Sequence, residues 1–105
     1  MEASTIMAIA AYFHPKGMTL DQFYEVHRRL EVAGVGLRSQ KGRLHHSCFG
    51  PDDDLMVYDV WESPEAFEAF GQKLMPILAE LGIDAGEPAV MPVHLLDQAS
   101  VEGKV

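Results

Sequence analysis

The chain has 105 residues, 48% of them hydrophobic and 23% charged, and a net charge of −8, which suits one globular domain with one core. Acidic proteins repel phosphate backbones and anionic lipid, so no nucleic acid and no membrane is expected as a partner; no apolar run reaches the roughly 20 residues that span a bilayer. The lone Cys48 excludes an internal disulfide, and Met-Glu-Ala-Ser-Thr lacks the basic start of a signal peptide, so a cytoplasmic location is expected.

The first element is an apolar run, Ile6 to His14, with no helix start signal and a Pro15-Lys16-Gly17 stop; it reads as a buried strand. Thr19 then sits as an N-cap with Gln22 three residues on, and Met18 can staple onto Phe23. Leu20, Phe23, His27 and Leu30 recur at helical spacing, and Gly34 and Gly36 end that helix. Gly42 to Gly50 and Leu55 to Glu62 read as a hairpin around Pro51-Asp52-Asp53-Asp54. That acidic run is a solvated turn, because no glycine and glutamate follow at calcium-loop spacing.

Ser63-Pro64-Glu65 opens a second helix as cap, first-position proline and first-turn acid. Its apolar stripe is Phe67, Phe70, Leu74, Ile77 and Leu81; Gly71 and Pro76 lie inside it, which predicts a kink near Met75. Gly82 ends it. Ala89 to Leu96 is the last strand, and Pro92 within it predicts a sheet edge or a bulge. Asp97 to Val105 is polar and expected to be a flexible tail, leaving a core of about residues 6–96 in a single domain spanning 1–105. The order strand-helix-strand-strand-helix-strand predicts an α+β, ferredoxin-like fold: a four-stranded antiparallel sheet with two helices on one face.

The turn length sets a register. If Gly50 faces Leu55, then His46 faces Asp59, Leu44 faces Trp61 and Cys48 faces Val57; on the other side His45 meets Val60, Ser47 meets Tyr58 and Phe49 meets Met56. Burying Asp59 under a helix without a partner would be costly. On that ground Leu44, His46, Asp59 and Trp61 are expected on the helix-free face, joined through strand parity by Tyr12 and His94. Such a face is too apolar for water and too polar for a plain core. A second subunit would cover it, and a cavity would form at the dimer.

His46 held in one tautomer by Asp59 is a candidate catalytic base for a phenol or β-dicarbonyl compound; the alternative is a plain cross-strand ion pair. Tyr12, His27, Leu44, Trp61 and His94 are the candidate ligand-binding residues. For Trp61 ordinary packing is an equal alternative, for His27 a hydrogen-bonded core position, and for His94 a rim or dimer contact. His14 and His45 read as surface or loop residues, and Cys48 as an inert buried thiol. Two histidines and a carboxylate suit iron or zinc, but no compact His-x-x-x-His or Cys-x-x-Cys motif is present, so no metal is expected.

The run Asp59-Val60-Trp61-Glu62-Ser63-Pro64-Glu65-Ala66-Phe67, with the element order, resembles the dimeric α+β barrel superfamily of the antibiotic-biosynthesis monooxygenase type. It is also similar to a group of uncharacterised bacterial proteins with a histidine late in the second strand and a Pro-x-His near the end, here His46 and Pro92-Val93-His94. The resemblance implies a homodimer and a small hydrophobic or aromatic ligand. It offers as activities cofactor-free oxygenases, polyketide cyclases, lactone isomerases, haem-degrading enzymes and pure ligand-binding modules. The haem branch resembles this chain in layout but needs a histidine late in the second helix and an asparagine on the first strand. Neither is present, so no cofactor is expected. Three readings stand: a cofactor-independent monooxygenase, cyclase or isomerase of a small aromatic or polyketide-like substrate, a non-catalytic dimeric module that holds such a molecule, and a dimer whose interior is fully packed.

Overall fold

A computed structural model of the chain describes residues 8–36 and 40–97. The elements are β1 (Ile9–Phe13), α1 (Leu20–Val32), β2 (Arg43–Phe49), β3 (Met56–Trp61), α2 (Pro64–Glu80) and β4 (Ala89–Pro92). The strands form one four-stranded sheet in the order β2-β3-β1-β4, with all neighbouring pairs antiparallel. This is the ferredoxin-like β-α-β-β-α-β fold. Ile6, Met7 and the expected tail from residue 98 onward lie outside the described residues.

Local chemistry sets both helices. Thr19 accepts from the Gln22 backbone N–H while the Gln22 side chain accepts from the Thr19 N–H, a complete capping box. Ser63 caps α2 by accepting from the Ala66 N–H, with Pro64 at the first helical position. Each helix ends in a paired motif: Gly34 N–H bonds Glu31 O and Val35 N–H bonds Leu30 O, and Gly82 and Ile83 repeat the arrangement on Ala79 and Leu78. The α2 helix runs continuously through Gly71 and Pro76.

The helices share one face of the sheet. Val26 and Leu30 of α1 and Phe70, Ile77 and Leu78 of α2 form one core cluster with Ile9 of β1 and Trp61 of β3. The opposite face carries the alternate positions, where Tyr12 pairs with Tyr58 and Ser47 with Tyr58 from the other side. At the β4 edge, Pro92 ends the strand four residues earlier than the apolar run suggests. Only the Val93 N–H continues the ladder, to Ala8 O at 3.0 Å; proline is tolerated there because the strand is an edge.

Candidate functional site

The hairpin closes in the register that the turn length implies. His46 faces Asp59, Cys48 faces Val57, His45 faces Val60, Ser47 faces Tyr58 and Phe49 faces Met56. One position differs. A bulge between Arg43 and His45 puts Arg43, not Leu44, opposite Trp61. Leu44 is the extra residue and is 42% exposed. The bulge reverses side-chain parity, so Arg43 joins His46 and Cys48 on the same face.

That face is the one under the helices, which corrects the expectation for His46, Asp59 and Trp61. Asp59 is only 2% exposed. The cost of burying a carboxylate applies to an isolated one, and this one is paired: His46 Nδ1 lies 2.6 Å from Asp59 Oδ1. Arg43 is also close enough to interact with Asp59, which offsets part of the burial that pushes the Arg43 guanidinium downward. A cation, an anion and an imidazole therefore enter the core together.

Around them lies a cavity of ≈ 60 Å³ between the sheet and both helices. By the measure that one water needs about 10–15 Å³, it holds a handful of waters. Arg43, His46 and Asp59 line it from the sheet, with Phe13 and Val57; Phe23, Val26 and His27 line it from α1, and Leu74 and Leu78 from α2. The Arg43 Cζ sits 5.8 Å from the Trp61 ring centre and 5.9 Å from that of Phe70, within cation–π range. The Phe23 ring lies near-parallel to His46 at 6.2 Å and edge-on to His27 at 4.4 Å.

An ionised Asp59 only accepts, so it holds the His46 proton on Nδ1 and leaves Nε2 as the free ring position. His46 Nε2 is buried and has no hydrogen-bond partner among the described residues; the same holds for His27 Nδ1. Burial, then the charges of His46 and Arg43, hold the His27 imidazole down to about 4, with Asp59 opposing. His27 is therefore neutral at pH 7.

Of the residues singled out in the sequence, His27, His46 and Asp59 meet at this cavity. Trp61 is fully buried and packs on Phe70 at 4.9 Å and Phe67 at 6.1 Å, as core beside the cavity rather than as part of its wall. Tyr12 lies on the opposite sheet face, against Tyr58. His94 follows the end of β4 and is exposed. The expected joint surface of Tyr12, Leu44 and His94 with the His–Asp pair is thus not formed. Nothing in Arg43-Leu44-His45 announces a bulge, so neither Arg43 in the cavity wall nor the ring of Phe23 against the two imidazoles is legible in the sequence. Burial raises the Cys48 thiol, which keeps it protonated and inert. His14 is a surface residue, 3.2 Å from Asp54. Among the described residues no group of three or more His, Cys, Asp or Glu is arranged to hold a metal, and no helix is long and apolar enough to cross a membrane.

No family model and no curated protein sequence matches the chain. Solved structures do. SnoaB, a cofactor-independent oxygenase from Streptomyces nogalater, is 17% identical with a TM-score of 0.57, over 85% of this chain and 94% of that one. An antibiotic biosynthesis monooxygenase-like protein from Chloroflexus aurantiacus is 17% identical with a TM-score of 0.58, over 87% and 97%. Another from Nitrosomonas europaea is 7% identical with a TM-score of 0.62, over 88% and 95%. The chain shares the ferredoxin-like α+β fold of these structures. At such identities the likeness concerns the path of the backbone, so what this fold does here has to be argued from its own side chains.

Proposed function

We propose that the chain is an enzyme of the cofactor-independent oxygenase, cyclase or isomerase kind, acting on a small aromatic or polyketide-like molecule. The observation that carries this reading is the 2.6 Å His46–Asp59 bond inside an apolar cavity, with His46 Nε2 left unpartnered. His46 Nε2 is the base, Asp59 is a positioning residue that fixes its tautomer and stabilises the imidazolium, and Arg43 supplies positive potential for the substrate anion. For an oxygenase the balance is simple. His46 takes the acidic proton of the phenol or enol, dioxygen oxidises the resulting anion at its activated carbon, one oxygen atom becomes the new carbonyl there, and the other leaves as water with that proton and the hydrogen of the carbon. The likeness to SnoaB supports oxygenation over the other two outcomes. The cavity is small, so an aromatic substrate, whether of one ring or several, enters only if α1 and the sheet separate.

A homodimer joined through the helix-free sheet face belongs to the same reading, and the exposure of Phe49 (46%) and Met91 (57%) supports it. The cavity then lies inside each subunit.

The test is turnover of a panel of polycyclic phenols and β-dicarbonyl compounds, followed by oxygen uptake and product mass. His46→Ala is expected to lower kcat by about 100-fold or more, the usual scale of a general base. Asp59→Asn should lower kcat as well with KM nearly unchanged, a split that a merely structural carboxylate would not produce. Unchanged turnover in both variants would remove the mechanism; tight binding with no product would favour a carrier of the same ligand.

A further inference from the structure

Two buried ring nitrogens of residues that line this cavity have no hydrogen-bond partner among the described residues, His27 Nδ1 and His46 Nε2. Each belongs to a ring that lines the same space, and the ring centres stand 5.2 Å apart at 71°. Rings this close border one small space, so a single bound oxygen comes within reach of both. A buried nitrogen left unpaired is a standing cost that an occupant relieves by supplying the missing bond.

The two nitrogens ask for different things. Asp59 holds the proton of His46 on Nδ1, so a neutral His46 offers Nε2 as an acceptor and needs a donor. His27 has no carboxylate to dictate its tautomer, and its proton is free to sit on Nδ1. We propose that His27 is a second substrate-contacting residue, which donates from Nδ1 to the oxygen whose proton His46 removes. A hydroxyl satisfies both nitrogens, donating to His46 and accepting from His27. A ketone or ether accepts only, and leaves His46 Nε2 unpaired.

The proposal rests on the reading of His46 as base: the first proton leaves oxygen, not carbon. The O–H bond breaks, the proton moves to His46 Nε2, and the electron pair stays on the oxygen as a phenolate or enolate. The His27 N–H holds that oxyanion on one side and the new imidazolium on the other. A neutral His27 is suited to this role, because a charged one beside His46 would oppose the proton transfer.

The experiment uses phenol and toluene, close in size and differing by a hydroxyl in place of a methyl, titrated into the full chain while the histidine ring nitrogens are followed by 15N NMR. Phenol should bind about tenfold tighter than toluene, the scale of one bond to a buried group, and should move both His27 Nδ1 and His46 Nε2. His27→Phe should remove about tenfold of phenol affinity and leave toluene within about twofold; His27→Gln, which keeps a donor, should retain part of the preference and serves if the first variant does not fold. Equal binding of the two probes, no phenol binding at millimolar concentration, movement of His46 alone, or a full preference surviving in His27→Phe each overturns the role of His27. Turnover has no part in this readout, so loss of the base mechanism would be seen separately, in the His46 and Asp59 variants.

Discussion

Charging His27 inside the cavity works against folding, and that gives the residue a signature in stability. Its imidazole lies at about 4 in the folded chain against an ordinary 6.5, first through burial and then through His46 and Arg43. The unfolded chain therefore takes up a proton first. Stability falls as pH drops through the window from 6.5 to 4, the loss is complete below it, and above 6.5 the group contributes nothing. The whole shift corresponds to about 3 kcal/mol; the ring is only partly buried, and solvent screening brings the expectation to about 1–2 kcal/mol. Denaturant unfolding at pH 7 and pH 4.5 should show a smaller drop for His27→Phe than for the parent. Glu25, held down to about 2 by Arg28 and Arg29, and Asp54, lowered by the Gly17 N–H and His14, lose their bonds at lower pH in both proteins, so the difference isolates His27. An identical pH slope in the variant would mean that its ring is not buried in its neutral form.

At the scale of single elements, Gly42 sits in the turn that leads into β2, two residues ahead of the bulged Leu44. Its φ is +85°, and an added Cβ would come within 2.8 Å of the Ala66 Cβ on α2. Gly42→Ala combines a left-handed alanine with overpacking, at about 1 kcal/mol and about 1–3 kcal/mol respectively, and should lower the unfolding midpoint markedly. Gly71, inside α2, has open space where its Cβ would go. Gly71→Ala should therefore stabilise by about 0.5–1 kcal/mol, and opposite shifts in paired thermal melts check both expectations. The same contrast explains what could be read without a structure. Thr19, Ser63, Gly34 and Gly82 act through chemistry within four residues, so their caps are legible in the chain. The hairpin register follows from turn length and carries His46 to Asp59. The bulge at Leu44 has no local signal, since it depends on how Arg43 packs on Trp61 and Phe70 across the sheet. The sheet face is hidden for a related reason: burial is costly for a lone Asp59, but the register that sets His46 opposite it supplies the partner that makes burial tolerable.

Across the whole molecule the two sheet faces have opposite problems. The helix-bearing face buries an imidazole, a carboxylate and a guanidinium among apolar side chains. The other presents Tyr12, Tyr58, Phe49, Met56 and Met91 with no helix over them. Its centre is an aromatic pair, His45 against Tyr58 at 5.5 Å. A face of this composition is suited to a second copy packed sheet on sheet, which buries the exposed rings and leaves both cavities undisturbed. The prediction is a dimer by analytical ultracentrifugation at micromolar concentration. Tyr58→Arg places a charge at the middle of that face, where a twofold axis would set like charges together, and should give a monomer. Because Tyr58 points away from His27 and His46, the monomer should still take up phenol with its preference over toluene intact. A parent chain that sediments as a monomer would mean that something other than a second copy covers the sheet, while a variant that loses both dimer and ligand would tie the cavity to the assembly.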